Sequence, residues 1–126
     1  MLLQLSKKAT LVANPVGFFA ALGWLHDADL ESFQWDIFND QLTVEIDDLY
    51  SNFYQLPEYP GKLSARFIAS GIKNLQATII ASEISQIRIL KFYIVKAADE
   101  KRTGVEVHFG EGCIKFECHR IFGMIR

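Results

Sequence analysis

Hydrophobic and polar residues alternate with a period of two along much of the chain after Glu31. Residues 31–37 (ESFQWDI) and 42–47 (LTVEID) follow this alternation, and turn-forming side chains lie between them at 38–41 (FNDQ). Because alternation places one face of a strand in a core, these residues predict a half-buried β-hairpin. Later β-rich runs are LSARFIA (63–69), NLQATII (74–80), ISQIRILKFYIVKA (84–97), VEVHF (105–109) and CIKFECHRI (113–121).

The N-terminal quarter has a different pattern. Residues 2–13 can form a first strand, and Asn14-Pro15 is typical of a helix start, with Asn at the cap and Pro at the first helical position. The apolar segment VGFFAALGWL that follows predicts a largely buried helix. The run 9–25 is uncharged, but it is at the short limit for a membrane span and is interrupted by Asn14-Pro15 and two glycines. We therefore interpret it as a strand and a buried helix.

These elements predict one domain over residues 1–126, of the mainly β (α+β) class. We expect an antiparallel two-sheet sandwich or a strongly bent sheet, with seven to eight strands and one N-terminal helix. Residues 47–62 (DDLYSNFYQLPEYPGK) interrupt the strand pattern and form a long connection. The sequence leaves open whether residues 47–61 are a binding loop or a packed connection. It also leaves open whether the apolar tail IFGMI is core or interface.

Charge is unevenly distributed, although the net formal charge is only −2. Residues 9–61 contain nine acidic residues and no Lys or Arg, whereas residues 62–126 contain eleven basic and six acidic residues. An acidic surface repels nucleic acid and attracts a basic partner, so we expect a protein partner, to which a basic surface would be complementary, and no nucleic acid or membrane. The alternative is that the basic half folds across and pairs with these acids.

Tyrosines accompany the carboxylates in the long connection, and tyrosine contributes contact area at low entropic cost. A competing interpretation is that Leu49, Phe53 and Leu56 pack into the core and the rest of the connection is simply solvated. The hypothetical partner-binding residues are Asp36, Asp40, Glu45, Asp47, Asp48, Tyr50, Tyr54, Glu58 and Tyr59.

A histidine and two aspartates, His26, Asp27 and Asp29, lie between the predicted helix and the first hairpin. In an extended strand Asp27 and Asp29 share a face, while His26 and Asp27 point apart. We therefore predict a structural corner, in which Asp27 caps backbone N–H groups and His26 bonds a carbonyl. The alternative is an active or ligand-binding site around these three residues.

Other chemistry-bearing residues favour structural roles. Cys113 and Cys118 are five residues apart, which places them on opposite faces of a strand and excludes a bond between them. Two unpaired cysteines indicate a reducing compartment, the cytoplasm. Cys118 shares the register of the core, whereas His108 lies with Glu106 on the outward face of VEVHF. No nucleotide, hydrolase or metal motif is present, so we predict no enzymatic activity, no cofactor and no metal.

The corner HDADL (26–30), followed by FQWDI and LTVEI, resembles a group of small bacterial proteins in which such a corner precedes the β-strands. Among named families, this pattern resembles the immunity protein 50 family of toxin–immunity systems. The resemblance extends in pattern from His26 to about Ile121. It implies a β-rich cytoplasmic protein that binds and neutralises a toxin without catalysis. The oligomeric state and the identity of the partner stay open.

Overall fold

A computed structural model describes residues 5–79, 87–110 and 112–126. Within them the chain forms one α-helix, α1 (Pro15–Ala21), and two 3₁₀ turns, at Gly23–Leu25 and Ser51–Phe53. The strands of this described part are β1 (Thr10–Leu11), β2 (Leu30–Asp36), β3 (Gln41–Ile46), β4 (Ala65–Ser70), β5 (Lys73–Thr78), β6 (Ile89–Lys96), β7 (Thr103–Phe109), β8 (Gly112–Cys118) and β9 (Arg120–Ile125).

The strands form two antiparallel sheets, which confirms the predicted β-rich sandwich. One sheet has the order β1-β9-β4-β3-β2 and the other has the order β5-β8-β7-β6. The described residues contain nine strands rather than seven or eight. One reason is that the run predicted as a single strand at 113–121 divides at His119 into β8 and β9, which belong to different sheets.

The change of sheet occurs at a shared corner. The β4–β5 connection crosses at Gly71, which has φ of +71°, and the His119 amide donates to the Ser70 carbonyl at 2.8 Å. The apolar tail beyond this corner is β9, which lies between β4 and β1. Ile121 in this strand is 3 % exposed, so the tail contributes to the core.

Both sheets and α1 contribute to one hydrophobic core. Phe19 of α1 stacks on Phe92 of β6 at 4.5 Å between ring centroids. The inward residues of β7 are those that the alternation predicts. They are Val105, Val107 and Phe109, all of which are buried. Cys118 of the neighbouring strand β8 is buried as well.

The N-terminal segment differs from its prediction in extent. Asn14 caps α1 as expected, accepting the Gly17 amide on its side-chain oxygen at 3.2 Å. However, the described part of the predicted strand 2–13 is a strand only at Thr10–Leu11, with single backbone hydrogen bonds to β9 at Ser6 and Val12, and α1 ends after seven residues. The helix is also less covered than predicted, because it packs by one face: Phe19 is buried while Val16 is 53 % exposed. No helix in the described ranges is long and apolar enough to cross a membrane.

The β2–β3 hairpin forms as predicted, with Phe33 opposite Val44 and Trp35 opposite Leu42. The prediction of a half-buried hairpin fails towards the tip, where the apolar side chains are exposed. Trp35 is 45 % exposed, and Ile37 and Phe38 are 71 % and 101 % exposed. The apolar pattern continues into the tip, but β2 is the outermost strand of its sheet, and its partner residues on β3 take the buried positions.

Candidate functional site

The segment between α1 and β2, residues 23–29, forms a tight corner with unusual backbone angles. Gly23, Trp24, Leu25 and Asp27 all have positive φ, between 56° and 71°. This region is unfavourable for residues that carry a Cβ, so the surrounding contacts must hold the corner in place. The 3₁₀ turn at Ser51–Phe53 packs on it, with Asn52 filling the space beside Gly23.

Hydrogen bonds from three directions hold this corner. The Ser51 hydroxyl donates to the His26 carbonyl at 2.7 Å, and the Asp27 amide donates to the Ile89 carbonyl at 2.9 Å. The Asp29 amide donates to an oxygen of the Asp47 carboxylate at 2.7 Å. The corner is therefore attached both to β6 and to the connection that follows β3.

Three details of the predicted corner are wrong. His26 and Asp27 do not point apart: His26 Nδ1 lies 3.3 Å from Asp27 Oδ2, because the positive φ of Asp27 takes it out of extended geometry. The backbone N–H of the corner is capped by Asp47 rather than by Asp27. It is the backbone carbonyl of His26, not its ring, that takes part in the corner bond with Ser51.

The 47–61 connection is organised around Asp48, which is 7 % exposed. One carboxylate oxygen accepts the amides of Tyr50 and Leu63, at 3.0 and 3.2 Å, and the other accepts the Tyr59 hydroxyl at 2.7 Å. Asp48 therefore belongs to the interior of the connection and not to a partner surface, contrary to the prediction. The hydrogen bond to Asp48, and to a smaller extent burial, raises the pKa of Tyr59 to about 12. Burial, with a smaller effect of Asp48, raises the pKa of Tyr50.

The corner and the connection line one cleft of about 370 Å³, which we call the aspartate cleft. Two groups of residues that the sequence suggested separately thus come together. Tyr54 and Tyr59 pack edge to face at 5.6 Å on one side of it. The cleft is lined by Asp27, Asp29, Asp47, Asp48, Ser51, Tyr54, Tyr59, Lys62 and Arg88.

Sequence reasoning missed the two cations of this cleft, Lys62 and Arg88. Arg88 Nε lies 3.2 Å from Asp29 Oδ1, and this hydrogen bond raises the pKa of Arg88. Lys62 Nζ lies 3.8 Å from Asp47 Oδ2, and its side chain is 66 % exposed. Arg88 lies within a β-rich run and Lys62 ends the connection, so only the general alternative of pairing between the two halves pointed to them.

The remaining predicted acids do not join the cleft. Glu45 is bound by two arginines, Arg66 at 2.9 Å and Arg126 at 3.2 Å, and Arg126 also pairs with Glu31. The basic half does fold across this part of the acidic half, which was the alternative to a free acidic patch. Asp36 and Asp40 lie at the hairpin tip, and Glu58 is exposed on the connection.

A second polar cluster lies on the outward face of the other sheet. His108 Nε2 contacts a carboxylate oxygen of Glu106 at 2.9 Å and Cys113 Sγ at 3.9 Å. Both contacts use the same ring nitrogen, so the imidazole cannot accept the thiol proton while it donates to Glu106. Burial, the largest effect, raises the pKa of Cys113, which is the opposite of an activated thiolate.

The other cysteine behaves as the register predicts. Cys118 is fully buried, and burial raises its pKa to about 12. Both cysteines are free thiols. Across the three described ranges, no group of three or more His, Cys, Asp or Glu side chains is arranged to hold a metal ion.

Comparison with protein-family models, curated proteins and solved structures finds no match for this chain. The resemblance of the HDADL corner to the immunity protein 50 family therefore stays a prediction. The aspartate cleft is the concave polar site on which a functional proposal can be built, and its volume is in the range of natural binding sites.

Proposed function

We propose that the protein is a non-catalytic binding module that receives a basic side chain of a protein partner in the aspartate cleft. The observation that carries this proposal is the composition of the cleft, in which three aspartates besides the internally bonded Asp48, together with two tyrosines, face only two cations, Lys62 and Arg88. Tyrosine rings provide apolar contact for the stem of a Lys or Arg, while carboxylates accept its N–H groups.

Lys62 acts as an internal occupant that the partner replaces. Its 3.8 Å separation from Asp47 is at the outer limit of an ion pair, and its largely exposed side chain loses little on leaving. Arg88 makes the closer contact, at 3.2 Å to Asp29, and remains in place. An incoming guanidinium can then engage Asp47 together with Asp27, whose side chain is 53 % exposed.

The exchange has a signature that general charge attraction lacks. Lys62→Gln removes the internal competitor and strengthens binding of a cationic probe, whereas Asp27→Asn removes an acceptor and weakens it. Each change is expected to be roughly two- to fivefold, the size of a single exposed ion pair. Lys101→Gln and Glu100→Gln make the same charge changes in the exposed turn before β7 and serve as matched controls.

The test is a nuclear magnetic resonance titration with a blocked tetra-arginine peptide, and with a blocked tetra-glutamate peptide as the opposite charge. We expect shifts at the amides of Asp29, Ser51 and Tyr54 with the first peptide alone. Equal effects of Lys62→Gln and Lys101→Gln would reduce the binding to long-range attraction and would contradict the proposal.

In the cell, we propose an immunity-like role in the cytoplasm, in which the module binds and neutralises a basic toxin without catalysis. Carboxylates in the cleft speed encounter with a basic surface and make the association rate dependent on salt. A pull-down from the native host followed by mass spectrometry identifies the partner. The association rate with Asp27→Asn then has to fall and lose part of its salt dependence.

A small enzyme or ligand binder built around His26, Asp27 and Asp29 is the second candidate. It is favoured by the left-handed backbone of Trp24, Leu25 and Asp27 beside the cleft, because such conformations occur often at functional sites. This candidate predicts that a small ligand raises the melting temperature of the wild type but not of His26→Ala. The protein-binding proposal predicts that His26→Ala leaves binding of the arginine peptide within twofold.

A further inference from the structure

The tip of the β2–β3 hairpin, residues 35–40, presents large apolar side chains to solvent. Phe38 is fully exposed, Ile37 is 71 % exposed and Trp35 is 45 % exposed. Single exposed hydrophobic residues are ordinary on protein surfaces, but three close together in one hairpin tip are typical of an interaction site. Trp35 and Phe38 are also of the aromatic class that anchors protein interfaces.

This tip is held in one conformation. The Asp36 carboxylate accepts the backbone amide of Asn39 at 3.2 Å and its side-chain amide at 2.7 Å. Asp40 receives the Gly71 amide on its carbonyl at 3.1 Å and the Ile72 amide on its carboxylate at 2.9 Å. A side chain presented from a fixed turn loses less entropy on binding than one on a mobile loop.

Resting on the proposed function, we infer that this tip is a hydrophobic anchor that inserts into an apolar pocket with a Lys- or Arg-bearing rim on the protein partner. The charge of the tip selects this occupant. Asp36 and Asp40 lie among the apolar side chains, and residues 35–42 contain no Lys or Arg. One cation, Lys73, follows Ile72, whose amide donates to the Asp40 carboxylate. The tip itself, residues 35–42, is thus net acidic.

The same charges disfavour two other occupants. An anionic membrane surface attracts hairpin tips that carry Lys or Arg, and it repels Asp36 and Asp40. A second copy of this chain would bring two acidic tips together, which is unfavourable for close pairing. A basic-rimmed protein pocket satisfies both the apolar and the acidic side chains.

The test places a photo-crosslinking phenylalanine analogue at position 38 of the full chain in its native host, with the same analogue at position 16 as control. Val16 is also an exposed apolar residue, at 53 %, but it lies on α1. The crosslinked partner is purified, and its affinity is measured for wild type, Phe38→Ser, Val16→Ser and Asp36→Asn. Vesicles of anionic and of zwitterionic lipid provide the membrane arm.

The inference is supported if the analogue crosslinks at position 38 and not at position 16, and if the crosslinked partner peptide contains both apolar and basic residues. It also requires an affinity loss of roughly tenfold or more for Phe38→Ser, with Val16→Ser within twofold. Asp36→Asn then has to reduce the salt dependence. A crosslink to a second copy, binding to vesicles, or equal crosslinking at both positions would overturn the inference.

The two proposals fail separately. A partner whose binding depends on Asp27 but not on Phe38 removes the anchor and leaves the aspartate cleft as the site. A partner whose binding depends on Phe38 but not on Asp27 or Lys62 removes the cleft and leaves the anchor. Circular dichroism of each variant checks that the β-sandwich is intact.

Discussion

The Asp47 carboxylate accepts the backbone amide of Asp29 at 2.7 Å and thereby joins the end of the first hairpin to the corner that precedes it. The Asp47 amide in turn donates to the Asp29 carbonyl at 3.1 Å, so the two residues are bonded in both directions. This reciprocal pair fixes the spacing of two side chains that line the aspartate cleft. The geometry of the cleft therefore depends on these two hydrogen bonds and not on the weak ion pair with Lys62.

Replacing Asp47 by Ala removes the acceptor and leaves the Asp29 amide without its carboxylate. We expect a loss of about 1.5–3 kcal/mol in the free energy of unfolding, as for hydrogen bonds to charged groups. Urea unfolding followed by tryptophan fluorescence measures it. Lys62→Ala, which removes only the ion-pair partner of Asp47, is the control and should change stability by less than about 1 kcal/mol. Equal losses in the two variants would place the stabilisation in the ion pair.

The Tyr59–Asp48 bond predicts a specific loss of stability at high pH. The folded state raises the pKa of Tyr59 from 10.0 to about 12 by holding the hydroxyl as a donor. Its stabilisation is therefore complete below pH 10 and is lost as the pH rises through 12. Unfolding measured between pH 9 and pH 12 should show this loss in the wild type and a smaller loss in Tyr59→Phe.

Tyr54→Phe is the matched control for that series, because Tyr54 is a neighbouring tyrosine that is 64 % exposed. Its alkaline loss should follow that of the wild type. An identical pH profile in Tyr59→Phe and the wild type would show that the Asp48 bond does not couple ionisation to folding.

Strand patterning accounts for most of the fold, and the misses have local causes. The alternation in VEVHF correctly assigned the buried face of β7, because a sheet covered on one side imposes that period. The same alternation failed at Trp35 and Ile37, since periodicity reports which face a side chain points to and not whether anything covers it. The division at His119 was missed because both halves of that run are β-forming.

The candidate site was predictable only in its parts. His26, Asp27 and Asp29 were placed at a corner, and Asp47, Tyr54 and Tyr59 on a connection, but their meeting in one cleft depends on tertiary contacts. The left-handed φ of Asp27 reversed the expected direction of its side chain. Such a conformation is uncommon for a residue other than glycine, and the sequence carries no marker for it.

The two thiols should differ sharply in reactivity. Cys118 is fully buried with its pKa raised to about 12, and Cys113 is partly exposed with its pKa raised by burial to a smaller extent. Iodoacetamide at pH 8, followed by peptide mass spectrometry, should label Cys113 in the native protein and Cys118 only in denaturant. The Cys113→Ser variant should lose all native labelling. Equal labelling of both residues in the native state would contradict the burial of Cys118.

The side chain of Ser51, and not that of His26, should stabilise the corner. The Ser51 hydroxyl is buried and donates to the His26 carbonyl at 2.7 Å, so Ser51→Ala should cost about 1–2 kcal/mol. The His26 side chain is 43 % exposed. Within the described residues, its one ion-pair contact is with the exposed Asp27 carboxylate. His26→Ala should therefore change the free energy of unfolding by less than about 1 kcal/mol. Thermal and urea unfolding of both variants check this order, and a larger loss for His26→Ala would reverse the assignment.

The corner at which the chain changes sheets should be sensitive to a single methyl group. A Cβ on Gly71 would lie 2.3 Å from His119 Cδ2 and 2.9 Å from its Cγ, and the φ of +71° already disfavours a side chain. Gly71→Ala should cost about 2–4 kcal/mol, combining backbone strain with overpacking. In Gly61→Ala, where φ is +107° and nothing lies within 4 Å, only the backbone cost applies. Adding His119→Ala to Gly71→Ala should restore the steric part, so the two substitutions must be non-additive in a double-mutant cycle of urea unfolding. Additive losses would mean that the His119 ring moves away freely, and the close packing of Gly71 and His119 would then not be what holds this corner.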